Sequence, residues 1–408
     1  MPKIILANPP LTGEERYGSL AKGGVYLPNL GLGYLASVIR NAGHDVGIID
    51  SEALGLNLEG ACFRILKECP DLVGITAVTM SINNAGELAE RLKIFKPSLK
   101  ILIGGPHITA VPEETMSHFN HFDIGIIGEG EISIVELLNT LANDGDISNI
   151  DGLIYKPNGS LIKTNPRALI KNLDTLPFPA WDLYPNLTKY YRPSAFGFKR
   201  LPASSIITSR GCPSSCSFCN QTPWGRIYRE HSAEYVIDMA KKMYYDYKIR
   251  DITVYDGTFG MNRERLIKLC ELLIKEKLNL AWSCNFRVNM ADLEMLKLMK
   301  RAGCWLIAYG VESGSQELLN SLKKGITKEQ ITRAMRNTKK AGIMSKAYIM
   351  VGTLFETKES LKETLNYILK LDIDLLTVNH FTPYPGTLDY ERADRFGYFE
   401  REWKMLNE

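Results

Sequence analysis

The sequence predicts an α/β protein in two parts, a doubly wound open sheet over residues 1–140 and a partial (βα)6 barrel over 201–390. Three observations carry this. Strands such as DLVGITAV and KILIGG are apolar almost throughout, as strands buried on both faces must be. Helices with one apolar face alternate with them. In the second part six strand–helix units occupy about 200 residues, two short of a complete barrel.

KIILANPP opens the chain as a strand entering a proline turn. LGYLASVIRNAG places Leu35, Val38 and Ile39 on one helical face and stops at Gly43. HDVGIID, DLVGITAV, KILIGG and FDIGIIGEGE supply further strands, and NAGELAERLKIF is a helix between the second and third of these. This pattern makes the first part Rossmann-like. Residues 141–200 read as an ordered linker: DGLIYKPNGSLIKTN looks like a hairpin turning at Asn158-Gly159, and LPFPAWDLYP like an extended aromatic connector. From 203 the strands are SSIITSRG, DITVYDG, LAWSCNFRV, CWLIAYGVES, SKAYIMVG and LLTVNHFTPYP. Thr327 and Gln330 open one intervening helix with a capping box. Residues 391–408 read as a short tail.

The chain has 408 residues and a net charge of +3, too small to argue for nucleic-acid binding. The basic run KKMYYDYKIR (241–250) reads as the solvated end of an amphipathic helix. MPKIILANPP reads as a strand entering a turn, so no secretory signal is expected, and no apolar run reaches the ~18 residues of a membrane span. The eight cysteines form no disulfide pattern, so the expected compartment is the cytoplasm. Cys62, Cys69, Cys270, Cys284 and Cys304 read as small buried hydrophobes.

The other three cysteines stand apart. RGCPSSCSFCNQTPWG puts Cys212, Cys216 and Cys219 in a C-x3-C-x2-C run on the first βα loop of the second part, where such folds bind ligands. Three thiolates leave one iron of a [4Fe–4S] cluster open to a small molecule. A Cys3His zinc site would need His231, twelve residues on, and the tight triad fits a cluster better.

This triad, with Phe218 just before its last cysteine and βα repeats after it, resembles the radical S-adenosylmethionine (radical SAM) superfamily. The resemblance implies that the open iron chelates SAM and that the reduced cluster cleaves it to a 5′-deoxyadenosyl radical. It further implies SAM contacts. Glu312 of YGVESGS would bond the ribose, beside Ser313, which with Gln316 also has capping-box spacing. Arg287 of CNFRVN would pair the carboxylate. Asp256 and Thr258 of VYDGTFGMN replace the common Gly-Gly-Glu run and are similar to the Asp-x-Thr-Phe form of the cobalamin-associated branch. VGTLFET, with Gly352, and TPYPGT, with Pro383, match the fifth and sixth strand-end motifs.

The first part then resembles a cobalamin-binding domain. GITAV sets Thr76 and Val78 after a strand, Gly104-Gly105 end the next, and Gly128, Glu129 and Gly130 form a later turn. Such glycines let a nucleotide tail approach the backbone. GGVYLPNLGLGYLAS (23–37) also looks like this branch. The loop NPPLTGEERYG lacks the histidine that many such domains place on cobalt. His44 and His107 are poor substitutes, and His107 is expected to bond the cofactor or a turn, so cobalamin is expected without a protein histidine on cobalt.

The expectation is a cobalamin-dependent radical SAM methyltransferase acting on an unactivated carbon of a small molecule or lipid. Its cofactors would be the cluster, SAM and cobalamin, and its electron donor an external ferredoxin or flavodoxin. A cyclase or ring-rearranging enzyme with the same cofactors is the alternative. A methylthiotransferase lacks support, because only Cys62 and Cys69 precede residue 200, and the intact triad argues against a non-catalytic sensor. Tyr190, Tyr191 and Trp224 are candidates to line a substrate pocket, or to pack the linker.

Overall fold

A computed structural model describes residues 2–18, 21, 24–193 and 196–399. Gly23 and residues 400–408 of the expected tail lie outside the described residues. The chain forms two compact units, Met1–Ala195 with Thr222–Trp224, and Phe196–Gln221 with Gly225–Phe399.

The first unit holds β1 (Lys3–Asn8), β2 (Asp45–Asp50), β3 (Leu72–Thr76), β4 (Lys100–Gly104), β5 (Ile124–Ile126), β6 (Leu153–Tyr155) and β7 (Ile162–Lys163), in the order β2-β1-β3-β4-β5-β6-β7. The first five strands are parallel. Ile4 to Ala7, Val73, Ile75 and Ile101 to Ile103 are buried, so both sheet faces are covered, as the unbroken apolar runs predict. The strand order reverses beside β1. The crevice at the carboxyl ends of β1 and β3 is therefore the switch point where doubly wound sheets bind ligands.

The stretch read as a linker supplies antiparallel β6 and β7 to this sheet. Asn158 (φ 54°) and Gly159 (φ 84°) occupy the left-handed region, as the Asn-Gly turn predicts. Farther on, Tyr191 is buried and its hydroxyl donates to Asp50 at 2.7 Å, with Tyr184 edge-on to its ring. Of the two pocket readings for Tyr191, packing is what the fold gives. Tyr190 stays exposed, with the Lys189 ammonium over its ring.

In the second unit β8 (Ala203–Ile206) precedes a short antiparallel pair, β9 (Ser209–Arg210) and β10 (Arg229–Glu230). Then follow β11 (Asp251–Val254), β12 (Ala281–Phe286), β13 (Cys304–Glu312), β14 (Met344–Val351) and β15 (Leu375–His380). The order β15-β14-β13-β12-β11-β8 is parallel throughout and leaves β8 and β15 as edges. All six expected strands are present, in an open partial barrel.

Two local readings need correction. Ser313 is not the N-cap of the next helix, which begins at Gln316 after Ser315; Ser313 is buried and bonds Thr364 at 2.8 Å instead. Cys69 is exposed, because it sits past a helix end with φ 50°, whereas Cys62, Cys270, Cys284 and Cys304 are buried. The Thr327–Gln330 capping box forms as expected.

Candidate active site

The cysteine loop leaves β9 at the carboxyl ends of the barrel strands. Cys212 and Cys216 are buried and Cys219 is half-buried. The Thr258 hydroxyl donates to Cys212 Sγ and the Gln221 amide to Cys219 Sγ, each at 2.8 Å. Burial pushes the Cys212 thiol up, but hydrogen bonds from Thr258 and Ser214, with the Arg287 guanidinium, outweigh it and hold the thiol below its ordinary value. Burial raises Cys216 against the opposing pull of Lys324 and Arg287, and raises Cys219 against Gln221. Among the described residues no three Cys, His, Asp or Glu side chains converge on one metal ion. The three thiols share one loop and perturb one another, and thiolates are the donors an iron–sulfur cluster takes. His231 is buried and stacks on Tyr235 at 3.9 Å.

Glu312 ends β13 at an irregularity in the β13–β14 register, with its backbone at φ 63°. A non-glycine residue there is strained, a condition found at functional sites. Its carboxylate pairs with Lys324 Nζ at 2.6 Å, and both side chains are largely buried. Lys324 also stands 5.6 Å from the centroid of Phe218, and its carbonyl accepts from Arg287, whose other contact is Ser214. Gly310 makes room for the pair: a Cβ there would strike Glu312 Oε1 and lie 2.6 Å from Lys324 Nζ. Sequence reasoning missed Lys324. It stands in the loop LKKGI, where paired lysines read as solvated charge.

The other barrel candidates divide. Asp256 is buried, and its carboxylate accepts the Thr208 N–H and hydroxyl at 2.6 Å and the Ser209 hydroxyl at 2.7 Å. Burial pushes its pKa up. It ties the exit of β8 to that of β11, while Thr258, two residues on, faces Cys212. Gly352 is exposed at φ 84° and donates its N–H to Glu356. Pro383 is half-buried in the loop after β15. That loop reaches the cysteine loop, since Asn220 Nδ2 donates to Pro385 O at 3.0 Å.

In the first unit, Thr76, Val78, Gly104 and Gly105 gather at the carboxyl ends of β3 and β4. Val78 is exposed at the turn after β3. Gly105 has φ 99°, and a Cβ there would meet Thr76 Oγ1 at 2.7 Å and Ala77 O at 2.8 Å, so this glycine is required by the turn itself. Gly104 and Gly128 have nothing within 4 Å of an added Cβ, and they leave the open cradle that a cofactor tail needs. Gly130 begins the following helix. Glu129 is buried and accepts the Ile170 N–H at 2.8 Å, which holds a neighbouring segment. His107 bonds the turn at Thr79 (Nδ1···Oγ1 3.1 Å), and burial lowers its pKa to about 4. His44 directly precedes β2, at the opposite end of the sheet, and bonds Asn139 at 2.8 Å.

Residues 206–368 match the family model of the radical SAM superfamily, and residues 18–138 that of the B12 binding domain. An uncharacterized methyltransferase of Pyrococcus horikoshii is 37% identical over 392 residues, covering 96% of this chain and 83% of the relative. The anaerobic magnesium-protoporphyrin IX monomethyl ester cyclase of Rubrivivax gelatinosus is 29% identical over 384 residues, covering 92% and 68%. The radical SAM methyltransferase TsrM from Kitasatospora setae, solved with cobalamin and a [4Fe–4S] cluster, superposes with a TM-score of 0.77 at 19% identity, over 97% of this chain and 75% of that one. The last likeness is one of fold. Among the described residues no helix is long and apolar enough to cross a membrane.

Proposed function

The chain belongs to the radical SAM enzymes that carry a B12-binding domain, and from that premise we propose that it methylates an unactivated carbon of a small molecule. The observation that carries the reading is a cysteine loop at the strand ends of an open barrel, in a chain whose other sheet has an open glycine cradle at its switch point. A relative described as a methyltransferase, 37% identical, supports methyl transfer. When bound, the cluster and SAM supply a hydrogen-abstracting radical and the corrin supplies a methyl group.

This chain's residues bind and orient. Cys212, Cys216 and Cys219 hold the cluster, with Thr258 and Gln221 donating to two of the sulfurs. Glu312 is held at the strand end by Lys324 and offers its carboxylate to the SAM ribose. Arg287 would supply the cation for the SAM carboxylate, and Phe218, Ser313, Gly352 and Pro383 are the further residues that would contact SAM. Asp256 acts one step back, by fixing the strand exit that carries Thr258. In the first unit Gly104 and Gly128, with Thr76 and Val78 beside them, would hold the nucleotide tail of the corrin, and neither His44 nor His107 would serve as a cobalt ligand. Electrons come from an external carrier such as ferredoxin or flavodoxin. The cyclase reading is kept because of the 29% identical relative.

Two measurements test this. The anaerobically purified protein shows cluster and corrin absorption together, and replacing Cys212, Cys216 and Cys219 by Ala removes the iron. Methyl-labelled SAM passes label to product; 5′-deoxyadenosine release without label transfer excludes the methyltransferase and leaves the cyclase.

A further inference from the structure

The register of the barrel strands separates two faces. Ile206, Ile252, Val254 and Trp282 share an apolar seam with Val236, Ala240, Leu269 and Leu273 of the flanking helices, so this is the outer face. Tyr309, also outward, bonds Thr338 of another helix at 2.7 Å. The residues between them face inward. Following the pairing from β8 to β15, the inner face carries Ser205, Thr253, Ser283, Asn285, Thr377 and Asn379. Barrel interiors are ordinarily packed with branched apolar side chains. Here an apolar plug lies at the amino-terminal end, where Ala281, Trp305 and Leu306 pack with Leu375.

One cation stands just above that floor. Lys346 pairs in register with Ala308 and Leu375, and its neighbours Ser345 and Ala347 are buried on the outer side. Its ammonium lies 4.8 Å from the ring centroid of Tyr348, the next inward residue of β14. The acids on this face are committed elsewhere. Asp251 bonds Trp305 Nε1 and the Lys199 N–H, and Glu312 pairs with Lys324. Among the described residues no carboxylate lies within ion-pair distance of Lys346. A partly buried ammonium beside an aromatic ring, on a sheet face that also carries hydroxyls and amides, suits an oxyanion.

We propose that the inner face of the barrel binds a substrate bearing a carboxylate or phosphate, which Lys346 pairs while Ser205, Thr253, Ser283 and Asn285 supply hydrogen bonds. The proposal rests on the enzyme reading above and adds the substrate's charge class.

The test uses the cluster- and corrin-loaded protein saturated with SAM under anaerobic, unreduced conditions, so that Arg287 and the open iron are occupied, with benzoate, phenyl phosphate and neutral benzyl alcohol as probes in saturation-transfer NMR. The anions bind wild type roughly tenfold or more tightly than the alcohol, the loss of one charge-assisted bond being worth about that factor. Lys346→Met erases the gap and Lys346→Arg retains it; the tighter of the two anions identifies carboxylate or phosphate. No anion preference in wild type, or one that survives in Lys346→Met at wild-type iron and corrin content, overturns the proposal. A second readout needs no variant. Benzoate, and not benzyl alcohol, slows acetylation of Lys346 in wild type, followed by peptide mass spectrometry, and an unchanged rate also overturns the proposal. Corrin retention and 5′-deoxyadenosine release by wild type report separately on the enzyme reading.

Discussion

Ser217 and Asp389 exchange two hydrogen bonds: Ser217 Oγ donates to Asp389 Oδ2 at 2.9 Å, and the Asp389 N–H donates to Ser217 O at 3.1 Å. Ser217 lies between the cysteines, and Asp389 follows β15. Strands β8 and β15 are unpaired edges, so these loops meet at the carboxyl face where the sheet itself stays open. Replacing Asp389 by Ala leaves the Ser217 hydroxyl, which is buried, without its acceptor. Iron is then lost to a chelator several-fold faster than from wild type at unchanged helix content. A wild-type rate refutes the latch.

Gly310→Ala drives a methyl group into the Glu312–Lys324 pair. SAM affinity falls about tenfold, as it does in Glu312→Ala, because both remove one charge-assisted contact. The double variant is no worse than either single one, since both act on the same contact. Additive losses in equilibrium binding count against Glu312 as the ribose partner.

Gly104→Val abolishes corrin retention and leaves the circular dichroism intact, because its side chain enters space that the protein does not fill. Gly105→Ala perturbs the fold as well, through its φ of 99° and its contacts with Thr76 and Ala77. Full corrin content in Gly104→Val contradicts the cradle.

His44→Ala and His107→Ala leave the cobalt(II) electron paramagnetic resonance signal as in wild type, without axial nitrogen splitting. The fold gives the reason for His44, which lies at the amino-terminal edge of the sheet. Splitting in wild type that vanishes in either variant overturns the prediction.

Acid destabilises the protein through His107. Its folded pKa is lowered to about 4 from 6.5, so between these values the unfolded chain binds a proton that the folded chain refuses. Stability therefore rises with pH through this window and is lost as pH falls from 6.5 toward 4, by roughly 3 kcal/mol at most. In His107→Gln the urea midpoint drops less between pH 6.5 and 4.5 than in wild type. Equal drops remove His107 from the account.

The strand–helix alternation, the open barrel and the cysteine triad were legible in the sequence because each is a local pattern. Strands buried on both faces are apolar throughout, and C-x3-C-x2-C is contiguous. Roles set by partners distant in sequence were not legible. Asp256 and Glu129 look like ligand-facing acids, yet their carboxylates are spent on Thr208, Ser209 and the Ile170 N–H. Lys324 looks like a solvated charge, and only the folded loop returns it to Glu312. The inner-facing hydroxyls alternate with apolar residues in ordinary strands, and nothing but register gathers them on one face. The Gly310-x-Glu312 spacing was a usable signal, since a residue free of Cβ marks the place where a neighbouring side chain must lie.

The Ser217–Asp389 latch also orders events during synthesis. Its partners are 172 residues apart, and chains elongate at about 5–20 residues per second, so Ser217 is made roughly 9–34 s before Asp389. Throughout that interval the three thiols are made but unlatched. The cysteine loop therefore gains its second anchor only after the last strand of the barrel has been made.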